Sequence, residues 1–196
     1  ILDVMRNPGG QVSYVEELSR RIIPTNFRSL GFEIRATYNW VAQLQQAVEL
    51  SKLFGAEDWE IRSLEAILKD LETAYSENRG RTGPLSLTNV SLDTPPAAIV
   101  YRKPAIILTD EFSSSGGDML PAVLQDNKRV QVVGMRSNGA GGSVTNNLGG
   151  YFSEGQTRVT QTLMNRIAPI VTDDLPAAPY VENVGVRPDI QLDYMT

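Results

Sequence analysis

The chain has 196 residues, 41% of them hydrophobic, enough for one domain of ordinary size with its own core. Its 18 basic and 23 acidic residues are interspersed and leave a net charge of −5, so no nucleic-acid surface is indicated, and no apolar run is long enough to span a bilayer. With no cysteine there are no disulfides and no thiolate chemistry, and with no histidine these residues offer no imidazole base and no imidazole metal ligand.

In chain order, Ile1 to Met5 reads as a strand and Arg6-Asn-Pro-Gly-Gly10 as a sharp turn, because Asn-Pro initiates turns and glycine accepts positive φ. Ser13-Tyr-Val-Glu16 has the form of a capping box, Val15, Leu18 and Ile22 share one helical face, and Pro24 marks the stop. This strand, glycine turn and helix unit is either an ordinary connection or a place where backbone amides face a bound group. Phe32, Ile34 and Ala36 alternate with polar residues, which predicts a half-exposed strand after Gly31. Asn39 is placed to cap a helix from Trp40 to Phe54, carrying Val41, Leu44 and Val48 on one face, with Gly55 as its C-terminal cap. Glu57 to Ser76 carries Leu64, Ile67, Leu68, Leu71 and Tyr75 at helical spacing, so the two segments predict a helical hairpin whose apolar stripes are packing faces, a lid or a dimer arm.

Asn78 to Ala98 is rich in Gly, Pro, Ser, Thr and Asn and predicts a long surface loop, followed by a short strand at Ile99-Val-Tyr101. The next stretch concentrates the chemistry. Ala105 to Leu108 is a short apolar run bounded by Pro104 and the polar Thr109 to Glu111, as in a buried strand, and Met119, Leu120, Val123 and Leu124 then recur with helical spacing. Between them, Ser113-Ser-Ser-Gly-Gly117 sets hydroxyls and unencumbered glycine amides at the positive end of that helix, where an anion would meet N–H donors. Val130 to Gly134 reads as another strand. Asn138-Gly-Ala-Gly-Gly142 reads as a flexible loop, without the lysine of a phosphate-binding loop. From Ser143 the pattern is strand-like, with Thr157 to Met164 alternating and no helix expected, and Ala177 to Leu192 closes the fold with Glu182 in a polar turn. A glutamate in such a turn is solvated by default.

Three separated segments resemble the S41 serine peptidases: Ile1-Leu-Asp-Val-Met-Arg-Asn-Pro-Gly-Gly10, Phe112-Ser-Ser-Ser-Gly-Gly-Asp118 with its continuation to Gly139-Ala-Gly-Gly142, and Tyr180-Val-Glu-Asn-Val-Gly-Val-Arg-Pro-Asp189. They frame nearly the whole chain in the family's order. The resemblance implies an α/β fold of crotonase-like or ClpP-like arrangement, with a helical-hairpin insertion at about residues 39–77, forming the C-terminal part of a serine endopeptidase catalytic domain. It makes Ser115 the nucleophile, three residues before Asp118 where the family has Ser-x-x-Glu or Ser-x-x-Asp. The backbone N–H of Gly116 and of a glycine in the Gly9-Gly10 turn become the oxyanion hole, worth about 3–4 kcal/mol per donor. Where C-terminal processing peptidases carry a lysine base, this chain has Ala140, which cannot accept a proton. The resemblance therefore points to the branch of tricorn and the chlamydial protease-like activity factor, which takes a histidine from upstream and holds it with an acid near the C-terminus, here Glu182.

Because the chain has no histidine and starts at Ile1 inside an expected strand, the base is expected before Ile1, on the missing upstream part of a longer polypeptide; alternatively the protein is a non-catalytic relative, or acts on a non-peptide acyl group. The expected partners are a peptide or protein substrate and that upstream segment, with a homo-oligomer possible and neither cofactor nor metal called for. The family resemblance favours a periplasmic or extracellular setting.

Overall fold

A computed structural model describes residues 1–170 and 178–193, so Ala177, expected to open the closing segment, lies outside the described residues. Its centre is an all-parallel four-stranded sheet in the order β1-β5-β6-β11, formed by β1 (Leu2–Asp3), β5 (Ile106–Thr109), β6 (Gln131–Gly134) and β11 (Ile190–Gln191). Register is fixed by burial: Leu2 pairs with Ile107 and Ile107 with Val132, and the latter two are fully buried. Helices α1 (Val12–Ile22) and α4 (Gly116–Asp126) pack against one another, and α4 also packs against β5 and β6. Val15 and Ile22 of α1 join Met119, Val123 and Leu124 of α4 in a single core with Val4, Ile107 and Val132. The result is an α/β fold.

A second, antiparallel sheet runs β10-β9-β3, with β3 (Gly31–Ile34), β9 (Thr162–Ile170) and β10 (Ala178–Tyr180); Phe32 and Met164 join it to the same core. The helical hairpin is present as α2 (Tyr38–Leu53) and α3 (Asp58–Ser76). Gln45 donates to Glu72 at one end and Lys52 pairs with Glu65 nearer the turn, a register that makes the helices antiparallel. Val41, Ile67 and Leu71 form a satellite core with Ile34 and Leu85, so the apolar stripes are packing faces.

Several local expectations are corrected. Helix α1 starts at Val12 after Gln11, whose side chain makes no cap, and Glu16 is turned inward to Ser29 and Thr88. The α2 cap is Thr37, accepting from the Trp40 N–H, two residues before Asn39. The segment after Asn78 is tied down: β4 (Asp93–Thr94) pairs with β2 (Phe27–Arg28), Leu85 bridges to Phe32, and Leu85 and Leu92 are buried. Ile99 to Tyr101 forms no strand; Tyr101 instead donates its N–H to Arg21 at the end of α1. The alternating run Thr157 to Met164 is broken at Gln161 into β8 (Gln156–Thr160), which forms an exposed ribbon with β7 (Val144–Leu148), and β9.

Candidate active site

Strand β5 ends at Thr109, and the carboxylate of the following Asp110 accepts the Arg6 and Phe112 N–H groups at 2.9 and 3.2 Å. Ser113 is fully buried, with its hydroxyl 2.8 Å from the Val4 carbonyl and 2.9 Å from Asp110 Oδ1. That hydroxyl is a fastener between β1 and β5. Ser114 donates its N–H to the Asn7 carbonyl at 2.8 Å, clamping the turn after β1 onto the start of α4.

Between these fixed points Ser115 is half-buried and holds φ 55° and ψ −112°, a left-handed conformation that a non-glycine residue adopts only where its surroundings enforce it. Much of the enforcement comes from Asp118, which accepts the Ser115 N–H at 2.9 Å. The Gly9-Gly10 turn lies directly against this corner. Gly9 has φ 106°, and a Cβ there would sit 2.5 Å from Ser115 Cβ; a Cβ on Gly116 would sit 3.1 Å from the Gly10 nitrogen. The glycines are thus required by the close approach of two backbones. The Gly9 N–H is committed to Asn7 Oδ1 at 2.8 Å, whereas the N–H groups of Gly10 and Gly116 meet no acceptor among the described residues. Two such donors, beside a strained serine at a helix N-terminus, can stabilise negative charge developing on a carbonyl oxygen.

Asp118 is the residue that sequence reasoning left as a landmark only. It is fully buried, and its two oxygens accept from Ser137 Oγ at 2.5 Å and from the N–H groups of Gly139 at 2.9 Å, Ala140 at 3.1 Å and Ser115. Burial pushes its pKa up, opposed by these hydrogen bonds. The local signal was available: Ser115-x-x-Asp118 has the spacing of a capping box.

Glu182 lies in the turn after β10. Its Oε1 accepts the Met164 N–H at 2.8 Å, while Oε2 is buried and has no hydrogen-bond partner. Burial raises its pKa as well, with Asp118 adding to the rise. The Asn138 to Gly142 loop connects the two acids. Gly139 donates to Asp118 and accepts the Asn183 N–H at 2.7 Å, and Ser137 Oγ accepts the Val186 N–H at 2.7 Å. Ser115, Gly116, Gly9 and Gly10 are therefore in direct contact, and Glu182 is joined to them through Asp118 and this loop. No cluster of metal-ligating side chains occurs among the described residues.

The fold is α/β, and the chain belongs to peptidase family S41, whose sequence profile matches residues 1–192. It is 28% identical to a protein of Chlamydia trachomatis serovar D, over 99% of this chain and 34% of that protein, and 26% identical to one of Chlamydia pneumoniae, over 99% and 33%. The chain thus spans about a third of the curated relatives' length. Mature CPAF complexed with lactacystin has a similar structure, with a TM-score of 0.76 at 23% identity, covering 97% of this chain and 38% of that one. A putative peptidase from Parabacteroides merdae follows at a TM-score of 0.57, with 16% identity over 97% of this chain and 43% of its own.

Proposed function

We propose that this domain hydrolyses peptide bonds through an acyl-enzyme on Ser115. The observation that carries the reading is the corner itself: a strained, accessible serine at the start of α4, with the uncommitted N–H groups of Gly10 and Gly116 beside it. Ser115 Oγ attacks the carbonyl carbon of the scissile bond, and the oxygen of the tetrahedral intermediate is held by the two amides. Collapse expels the amine, and water then releases the acyl group. A base must take the hydroxyl proton and return it to the leaving amine. Neither histidine nor a lysine at position 140 exists among these 196 residues to do so, and the base in this proposal is the histidine that the resemblance to the tricorn and chlamydial-type branch implies, contributed from outside them. The unpartnered Oε2 of Glu182 is the acceptor available to hold that base, as a carboxylate does in serine triads. The substrate is a peptide or protein. The test is hydrolysis of an unstructured protein by the complete polypeptide: turnover should vanish in Ser115→Ala, and turnover that survives it refutes the assignment.

The lack of any histidine favours one competing reading, a relative that keeps the peptide-binding corner without the base. It predicts that peptides bind the complete polypeptide, that Ser115→Ala leaves binding intact, and that no peptide is cleaved.

A further inference from the structure

An apolar cavity of ≈ 220 Å³ opens beside the proposed amide pair, walled on one side by Gly9, Gly10 and Gly116 and on the others by Val4 of the β1 end, Val15 and Leu18 of α1 and Leu120 of α4. Its size is below the roughly 300–1,000 Å³ that encloses a drug-sized ligand and suits a single side chain. Tyr14, 69% exposed, stands at its rim, and among the described residues the only charged one lining it is Asp3, whose Oδ1 accepts the Met5 N–H at 2.9 Å. A larger cavity of ≈ 440 Å³ lies at the opposite ends of β5 and β6, beside Pro104, Ala105, Val130 and Gln131, and includes neither Ser115 nor either amide.

We propose that the smaller cavity receives the side chain of the substrate residue on the acyl side of the scissile bond, and that it selects an unbranched or γ-branched aliphatic residue such as leucine or methionine. This rests on the hydrolytic reading of Ser115, because the carbonyl to be held by Gly10 and Gly116 belongs to that same residue. Once its oxygen reaches the two amides, its Cβ leaves the backbone next to the wall those glycines form. There Val4, Val15, Leu18 and Leu120 offer aliphatic surface, and the polar side chains of the lining are Asn7, whose Oδ1 already accepts the Gly9 N–H, Asp3 and the rim Tyr14, so few groups are left to satisfy a polar side chain. An acidic side chain would also meet the Asp3 carboxylate.

The experiment uses the complete polypeptide and fluorogenic peptides that differ only in the residue before the cleaved bond: Ala, Leu, Phe, Asp or Lys. Leucine should exceed alanine in kcat/KM by at least about 10- to 200-fold, the range that one methylene in an apolar pocket provides, with aspartate the poorest. Leu18→Phe, which fills the cavity, should bring leucine down to the alanine level. Tyr14→Ala, at an exposed position that tolerates substitution, should raise the phenylalanine peptide several-fold by opening the rim. Turnover that needs Ser115 but is indifferent to this residue, prefers lysine or aspartate, or keeps its leucine preference in both variants overturns the pocket alone. Absence of both turnover and fluorophosphonate labelling at Ser115 overturns the hydrolytic reading beneath it.

Discussion

Replacing Asp118 with asparagine keeps the side chain's shape and exchanges one acceptor oxygen for a donor NH2. The carboxylate accepts two donors on each oxygen: Ser137 Oγ and the Gly139 N–H on one, the Ser115 and Ala140 N–H groups on the other. Whichever way the amide faces, two buried donors lose their acceptor and confront a third. The gentler orientation turns the NH2 toward Ser137, whose oxygen can accept it, and strands the Gly139 N–H. With each buried unsatisfied group costing about 1–3 kcal/mol, Asp118→Asn should destabilise the domain by about 2–4 kcal/mol. For a domain of this size that lowers the melting temperature by roughly 5–15 °C. Calorimetry on the complete polypeptide reads the shift directly. A loss below about 0.5 kcal/mol, the range of inert surface substitutions, would refute the claim that this carboxylate holds the nucleophile corner together.

Gly9→Ala would place a Cβ 2.5 Å from that of Ser115 on a backbone with φ 106°, so both strain and collision must be relieved by moving Ser115. Peptidase activity should fall at least 10-fold while Gln11→Ala, one residue beyond the turn, leaves it unchanged. A Gly9→Ala protein of full activity would contradict the close approach. Glu16, buried on α1 against Ser29 and Thr88, has its pKa raised above 4.5 mainly by burial. The folded state therefore holds this proton where the unfolded chain has released it, so its stabilising contribution is complete below about pH 4.5 and is lost as pH rises through the raised value. The unfolding free energy of the wild type relative to Glu16→Gln should decline between pH 4.5 and neutrality in urea titrations, and an increase over that interval would reverse the sign.

The strand, corner and helix around Ser115 were legible because their signals are local. A four-residue apolar run between Pro104 and a polar turn has little choice but a buried strand, and Ser-Gly-Gly before a helical repeat marks the place where a chain changes direction. The Asn7-Pro-Gly-Gly10 turn was legible for the same reason. What failed depended on contacts distant in sequence. Ser13-x-x-Glu16 has the chemistry of a capping box, but Glu16 found better partners in Ser29 and Thr88, which no local pattern reveals. Thr37 and Asn39 are both competent caps, and the choice fell to the one whose hydroxyl met the Trp40 N–H. Ile99 to Tyr101 has strand composition but no strand beside it, because Tyr101 is spent on the end of α1. Asn78 to Ala98 has loop composition, yet Leu85 and Leu92 carry it into the core against Phe32 and β2. Asp118 shows both sides: its spacing from Ser115 was visible, but its partners Ser137, Gly139 and Ala140 lie about twenty residues downstream and meet it only in the folded chain.

Three adjacent hydroxyls, Ser113, Ser114 and Ser115, are candidates for the proposed nucleophile. Ser113 is buried and engaged with Asp110 and Val4, Ser114 has its N–H clamped to Asn7, and Ser115 is half-buried at the corner where the Gly9-Gly10 turn meets the start of α4. Labelling the complete polypeptide with a fluorophosphonate and sequencing the modified peptide by mass spectrometry distinguishes them. A single adduct on Ser115, absent from Ser115→Ala, is the predicted result; an adduct on Ser113 or Ser114, or labelling undiminished in Ser115→Ala, would contradict it.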